Sequence, residues 1–297
     1  MADRIEIVEV GPRDGLQNEP RTLPVETKVA LIERLAAAGL RTVEAGAFVS
    51  PKWVPQMAAS DEVMARIARA PGVAYPVLTP NMKGYEGAKA ANADTIAVFG
   101  AASEAFSQKN INCSIAESLE RFRPVVEAAT ADGVRARGYV SCVHGCPYEG
   151  AIAIDAVVRA AGALYEMGCY AVSLGDTIGV GTLPETRALV RAVADAVPVD
   201  ALAGHFHDTY GQALSNLWGA IEEGVRVFDA SVSGLGGCPY AKGASGNVAT
   251  EDVAYAVERG GLETGVDLDA LIETSLWISG ELGRAPGGKT AIARGRG

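Results

Sequence analysis

The chain has 297 residues, 48% hydrophobic and 21% charged, with 35 glycines and 14 prolines, a globular composition that excludes a disordered, collagen-like or coiled-coil protein. Asp and Glu number 36 against 26 Lys and Arg, a formal charge of −10, so the chain repels phosphate backbones and no nucleic acid partner is expected. The apolar stretches fall well short of the ~20 residues of a membrane span, and no basic leader precedes the first strand pattern, so a cytoplasmic protein with no membrane segment is expected.

Ile5 to Val10 reads as a strand from its Ile and Val content and stops at Gly11-Pro12. A helix follows over Val25 to Ala38, with Val25, Val29, Ile32, Leu35 and Ala36 at helical spacing and Gly39 as its stop. The order then repeats. Further strands are expected near Thr42 to Gly46, Ala74 to Leu78, Thr95 to Gly100, Arg135 to Cys142, Ala171 to Gly175, Ala201 to His207 and Phe228 to Val232. Helices are expected near Gln56 to Arg69, Gly84 to Ala91, Ile115 to Ala131, Ile154 to Met167, Pro184 to Ala196, Ala213 to Glu223 and Asn247 to Arg259.

Strand and helix in strict alternation imply a parallel sheet, because each parallel return needs a crossover. Eight such units close a (β/α)8 TIM barrel, which count and length favour over an open doubly wound sheet. One extra helix, about 268–282, is expected to pack outside the barrel, and residues 286–297 read as a flexible tail. No linker divides the chain, so residues 1–297 are expected to form a single catalytic domain. The five cysteines are odd in number and irregular in spacing, which argues against a disulfide framework. Cys142 and Cys146 invite a zinc reading, but no second ligand pair follows.

In such a barrel the chemistry belongs at the carboxyl ends of the strands. One rim collects Gly11 to Glu19, Glu44, Gly175-Asp176-Thr177, His205-Phe206-His207-Asp208 and the stretch from Ser233 to Tyr240. His205 and His207 are two of three histidines and alternate on one strand, ~6.6 Å apart on the same face. Two imidazoles there can converge on a metal ion. Asp14 is the best carboxylate to join them and Asn247 a carbonyl donor; a mixed N and O shell without thiolate suits Mg²⁺ or Mn²⁺, although Zn²⁺ or Fe²⁺ is also permitted. The stretch from Gly234 to Asn247 holds five glycines and Cys238, enough for close backbone approach to a ligand and closure over it.

The segments Val8 to Glu19, Ser50 to Met57, Phe99 to Glu104, Gly204 to Asn216 and Ser231 to Asp252 resemble the 3-hydroxy-3-methylglutaryl-CoA lyase family, the Gly-Leu-Gly-Gly-Cys-Pro-Tyr-Ala core at residues 234–241 most specifically. The resemblance implies a TIM barrel that uses Mg²⁺ or Mn²⁺ to cleave 3-hydroxy-3-methylglutaryl-CoA into acetyl-CoA and acetoacetate, in leucine breakdown and ketone-body formation. It places the metal ligands on Asp14, His205, His207 and Asn247 and the catalytic residues on Arg13, Glu44, Asp176 and Cys238. Glu9, Gln17, Glu251 and Asp252 are expected to support the cation from behind its ligands. The sequence departs from the family at Ala45-Gly46-Ala47, where hydroxyl side chains are common, and at His144.

Such a retro-Claisen cleavage needs a base for the C3 hydroxyl, a cation for the enolate oxygen and an acid for its carbon. Asp176 is the preferred base over its rival His205, because a ligated imidazole keeps little basicity. Arg13 fits the enolate oxygen, and Cys238 as thiol fits the acid. An acyl-CoA substrate asks for cations, and Lys52, Lys83, Lys109 and Lys242 are candidates. A homo-oligomer is compatible with the sequence. The rivals are a related acyl-CoA lyase, a Claisen synthase or aldolase, and a silent CoA-binding scaffold. The 50 residues after Asn247 are fewer than synthases of the isopropylmalate type carry.

Overall fold

In the computed structural model, which describes residues 4–237 and 246–295, the Ile/Val-rich opening forms β1 (Glu6–Glu9), with Ile7, Val8 and Glu9 all buried. Strands follow at β2 (Thr42–Val43), β3 (Gly46–Ala47), β4 (Val77–Leu78), β5 (Thr95–Ala101), β6 (Arg135–Ser141), β7 (Gly145–Cys146), β8 (Gly150–Ala151), β9 (Ala171–Asp176), β10 (Leu202–Phe206) and β11 (Val227–Ala230). Nine of them make one sheet in the order β2-β1-β11-β10-β9-β6-β5-β4-β3, every pairing parallel. The sheet curls until its two end strands lie on one stretch of chain. Only Glu44 and Ala45 separate β2 from β3, and they bond both ways: Glu44 N–H donates to Glu9 O at 2.8 Å and Ala45 N–H to Pro76 O at 2.9 Å. The eight expected strands are thus all present, the second divided in two.

The helices are α1 (Val25–Ala37), α2 (Ser60–Arg66), α3 (Met82–Ala90), α4 (Glu104–Ile111), α5 (Ile115–Ala131), α6 (Ile154–Glu166), α7 (Leu183–Ala194), α8 (Ala213–Glu222), α9 (Thr250–Arg259), α10 (Leu268–Leu282) and α11 (Lys289–Arg294). Helices α1, α5, α6 and α8 lay apolar stripes directly on the sheet. Leu31, Ile32 and Leu35 of α1 are fully buried, each contributing about 1.5–3 kcal/mol by transfer from water. Capping boxes at Ser114/Glu117 and Thr182/Glu185 start α5 and α7, satisfying N–H groups that a helix leaves open.

Four departures from the expected elements have local causes. Pro55 opens a separate 3₁₀ turn, Pro55–Met57, so α2 starts only at Ser60. Asn247 is drawn into an antiparallel bridge with His207, which delays α9 to Thr250. The helix α4 and the β7–β8 hairpin were not expected; α4 is short and mostly polar, with a weak apolar stripe, and its clear signal is the Ser103 cap. Residues 286–295, expected as a flexible tail, hold α11 instead. Asp252 accepts from the N–H groups of Lys289 at 2.9 Å and Thr290 at 2.6 Å, and Gly287 N–H reaches Ser233 O at 3.1 Å.

Candidate functional site

Directly after β1, residues Gly11–Gly15 wind into one π-helical turn that presents Arg13 and Asp14 side by side. Gly15 is obligatory for this packing, since a Cβ there would lie 2.5 Å from Ser231 Oγ and 2.8 Å from Leu235 Cβ. Strand alternation on β10 and just beyond brings His205 and His207 to the same face, their ring centroids 5.5 Å apart. Asp14, His205 and His207 offer one ligand atom each within 4.8 Å of one another. Asn247 joins them: its Nδ2 donates to Asp14 Oδ2 at 2.8 Å and to Leu235 O at 3.2 Å.

Two buried atoms of this group, Asn247 Oδ1 and His207 Nδ1, have no hydrogen-bond partner. Buried acceptors in that condition cost free energy that a cation would offset. Burial pushes the Asp14 carboxyl up, but Arg13 and the two imidazoles outweigh it and hold its pKa down to about 2. Burial and neighbouring His205 push His207 down to about 4, leaving a neutral imidazole with a free lone pair. An anionic carboxylate beside neutral imidazole is the protonation state a metal ligand set requires, and the residues present fit a divalent cation.

Arg13 is buried and forked, Nε donating to Glu44 Oε2 and Nη1 to Asp14 Oδ1, both at 2.7 Å. Burial opposes its charge, yet the two carboxylates prevail and raise its pKa. Its guanidinium also lies 5.4 Å from the centre of the Tyr139 ring. Burial raises the Glu44 pKa against the pull of Arg13, and Glu44 Oε1 has no partner.

His205 Nδ1 lies 3.1 Å from Asp229 Oδ2, which fixes that nitrogen as the donor and leaves Nε2 for the cluster. Asp229 is itself held by Arg137 Nη2 and Ser173 Oγ, both at 2.6 Å, and Arg137 Nη1 donates to the Tyr139 hydroxyl at 3.1 Å. Sequence reasoning missed Asp229, Arg137, Ser173 and Tyr139. Charged residues inside apolar strand patterns were the available signal.

The other expected site residues fall in several places. Gln17 is half-buried on the wall of the cavity described below. Glu9 accepts from Gly11 N–H at 2.8 Å, Val232 N–H at 2.9 Å and Thr250 Oγ1 at 2.7 Å, tying the Arg13 turn to the chain just past neighbouring β11 and to the start of α9. Glu251 takes Ser233 N–H at 3.0 Å and Ser275 Oγ at 2.7 Å, and Asp252 caps α11. Glu251 thus joins the Ser233 turn to α10, and Asp252 joins α9 to α11. Asp176 also departs from expectation: Gly175 and Thr177 line the cavity, while the Asp176 carboxylate accepts from Val180 N–H at 3.2 Å and Gly181 N–H at 2.8 Å. Cys238 and Lys242 lie outside the described residues.

The cluster opens on a cavity of about 750 Å³, room for an acyl group and the arm that carries it. Arg13, Asp14, His205 and His207 mark its polar side, and Leu78, Phe99, Phe106, Phe122 and Val140 give it an apolar wall. Of the candidate lysines only Lys109 lines it among the described residues, accompanied by Arg121.

The HMGL-like family model matches residues 4–278. The chain belongs to the HMGL-like family. Among HMGL-like relatives, the Pseudomonas aeruginosa 3-hydroxy-3-isohexenylglutaryl-CoA/hydroxy-methylglutaryl-CoA lyase is 58% identical over 98% of this chain and 97% of its own. A hydroxymethylglutaryl-CoA lyase structure from the same organism superposes with a TM-score of 0.96 at 57% identity, over 99% and 98% of the two chains. An Acinetobacter HMG-CoA lyase in complex with coenzyme A and 3-methylmalate superposes at 0.94 with 37% identity, over 98% and 95%. This HMGL-like chain thus carries its cluster and cavity on the fold of those lyases.

Proposed function

We propose that this chain is a carbon–carbon lyase that cleaves 3-hydroxy-3-methylglutaryl-CoA into acetyl-CoA and acetoacetate. The observation that carries the proposal is the cluster of Asp14, His205 and His207 beside a buried, forked Arg13 in an acyl-sized cavity. The proposal includes a single domain whose curled sheet closes as a (β/α)8 barrel, with α10 outside against α1 and α9. It also includes a cytoplasmic location.

Asp14, His205, His207 and Asn247 would hold the divalent cation, and their mixed N and O set without thiolate suits Mg²⁺ or Mn²⁺. When bound, the cation supplies Lewis acidity that lowers the pKa of the substrate's C3 hydroxyl. Arg13 donates to the thioester oxygen on which negative charge grows as the C2–C3 bond breaks, and Glu44 keeps the guanidinium aimed there. Tyr139 and the apolar wall exclude water from the enolate. Cys238 then protonates the enolate carbon, giving acetyl-CoA. Lys109 and Arg121 supply cations for the coenzyme A phosphates.

Two groups can take the C3 hydroxyl proton, and the geometry sets what each requires. Asp176, its pKa raised by burial, must first release Val180 and Gly181. His205 already lines the cavity, but Nε2 is its one open nitrogen, and ligation through it removes its basicity. The pH–rate profile of Asp176→Asn decides: loss of the acid-side limb assigns the proton to Asp176, and retention assigns it to His205.

The apolar wall supports a second substrate, with the branched isohexenyl chain named for the Pseudomonas relative in place of the C3 methyl. The test of the main proposal is product release by metal-stripped protein, with and without Mg²⁺ or Mn²⁺, and by Cys238→Ala. Metal-dependent cleavage largely lost in the variant supports it. No cleavage with either metal sinks it and turns attention to related acyl-CoA substrates or to condensation.

A further inference from the structure

Behind the cavity wall one side chain ties together segments that are far apart in sequence. Arg284 follows Gly283, the left-handed residue (φ 70°) that ends α10. Its Nη1 donates to Glu19 Oε1 at 2.7 Å and its Nη2 to Ser233 O at 3.2 Å. Both acceptors are rooted in the site. Glu19 closes the loop that carries Asp14, and its neighbour Asn18 donates Nδ2 to Gly237 O at 2.9 Å. Ser233 begins the turn whose Leu235 carbonyl accepts from Asn247, the residue bonded to Asp14.

Ser233 is under strain of a kind that needs outside support. It is fully buried and holds φ 60°, ψ 16°, a left-handed conformation that a residue with a Cβ rarely adopts. Every polar atom of Ser233 is engaged from the carboxyl-terminal side: N–H by Glu251, carbonyl by Gly287 and Arg284, Oγ by Ser279 at 2.7 Å. Arg284 alone among these partners also reaches the Asp14 loop.

We propose that Arg284 is a positioning residue for the lyase reaction: it sets the spacing between the Asp14 loop and the Ser233–Gly237 turn, and so the placement of Asp14 and Asn247. The inference rests on the reading above that these two residues hold the cation. A forked guanidinium suits the task, because one rigid plane spans two acceptors on separate segments and an ammonium cannot reproduce that geometry.

The whole chain answers the question in one titration and one set of kinetics. Mn²⁺ alone is titrated into metal-stripped wild type, Arg284→Met, Arg284→Lys and Glu19→Gln, and kcat and KM are then measured with 3-hydroxy-3-methylglutaryl-CoA. Arg284→Met is expected to weaken Mn²⁺ binding by roughly tenfold and lower kcat by roughly 10- to 100-fold, the scale of a misplacement near 1 Å, with KM nearly unchanged. Arg284→Lys recovers part of both losses and Glu19→Gln falls between. The ion pair is partly exposed, so Tm moves by only about 2–4 °C. Wild-type Mn²⁺ affinity and kcat in Arg284→Met overturn the inference. So does a loss that Lys does not relieve and that comes with a collapse in Tm. A wild-type protein that binds Mn²⁺ without cleaving the substrate defeats the proposed function instead, and the Mn²⁺ titration still judges Arg284.

Discussion

Asp229 and His205 stand opposite one another on adjacent parallel strands, β11 and β10, and the pairing places Asp229 Oδ2 3.1 Å from His205 Nδ1. The carboxylate is completely buried, so its charge persists only because Arg137, Ser173 and His205 surround it; burial raises its pKa and these partners bring it below the ordinary value. The imidazole is oriented by the interior of the curled sheet, two strands away from the loop that supplies Asp14.

Asp229→Asn is therefore expected to act twice. Arg137 would be left buried without its counter-charge, costing about 3–5 kcal/mol in stability. The His205 ring would lose its orienting acceptor, weakening Mn²⁺ binding by roughly 10- to 100-fold. Ser173→Ala removes one hydrogen bond and spares the ion pair, so it should cost about 1–3 kcal/mol and leave Mn²⁺ affinity nearly intact. Denaturant titration of stripped protein and calorimetric Mn²⁺ titration separate the two effects; equal Mn²⁺ losses in both variants would contradict the orienting role.

Arg13 is the group the proposed chemistry asks most of. Arg13→Lys keeps a cation but cannot span Glu44 Oε2 and Asp14 Oδ1 together, so kcat should fall by about 10²–10³ while KM changes little. Steady-state kinetics at saturating Mg²⁺ check this. A fall confined to KM would mean that Arg13 binds the ground state only.

The contrast between His205 and Asp229 also shows what the sequence could and could not disclose. The i, i+2 spacing of His205 and His207 is a local fact, and strand alternation converts it directly into a shared face; the same holds for Arg13 beside Asp14. The eight strands were legible because each is a short, largely apolar segment set between helical patterns, as strands buried on both faces of a parallel sheet require. Asp229 sits in such a segment, and its partners Arg137 and Ser173 lie 92 and 56 residues away, so their meeting depends on register between strands. The partners of Glu251 and Asp252 were hidden for the same reason. They adjoin the Asn247 stretch in sequence, but the first turn of α9 directs them to Ser275 and to α11. The anchoring of residues 286–295 likewise comes from Asp252 and Ser233, which a local reading of Pro286-Gly287-Gly288 does not contain.

Buried Glu9 should make stability depend on pH in a defined direction. Burial pushes its pKa from 4.5 up to about 7, against the hydrogen bonds from Thr250, Val232 and Gly11 that lower it. Between those values the native protein holds a proton that the unfolded chain has released, so this contribution is whole below pH 4.5 and is lost as pH rises to 7. Its full size is on the order of 3 kcal/mol. His207, with its pKa pushed down, gives the opposite slope over a similar range, so wild type alone is uninformative. Glu9→Gln keeps the carbonyl acceptor for Gly11 and Val232 but does not titrate. Denaturant midpoints from pH 5 to 8 should show the wild type losing stability relative to Glu9→Gln as pH rises; a constant difference would mean that Glu9 is ionised throughout.

Gly246 offers a test of the cluster that changes none of its chemical groups. A Cβ at this position would lie 2.5 Å from Gly234 O and 2.6 Å from Gly236 O, both backbone atoms of the turn that precedes Asn247 in space. Neither carbonyl can yield without moving the chain, because Gly234 N–H is bonded to Ser231 and the Leu235 carbonyl to Asn247. Gly246→Ala should therefore shift Asn247 off Asp14, weakening Mn²⁺ binding and lowering kcat by roughly 10²-fold, while the helices and sheet stay folded. Circular dichroism, Mn²⁺ titration and kinetics on the same preparation check all three. Retention of wild-type Mn²⁺ affinity would show that Asn247 is placed by its bridge to His207 alone and that the turn contributes nothing to the site.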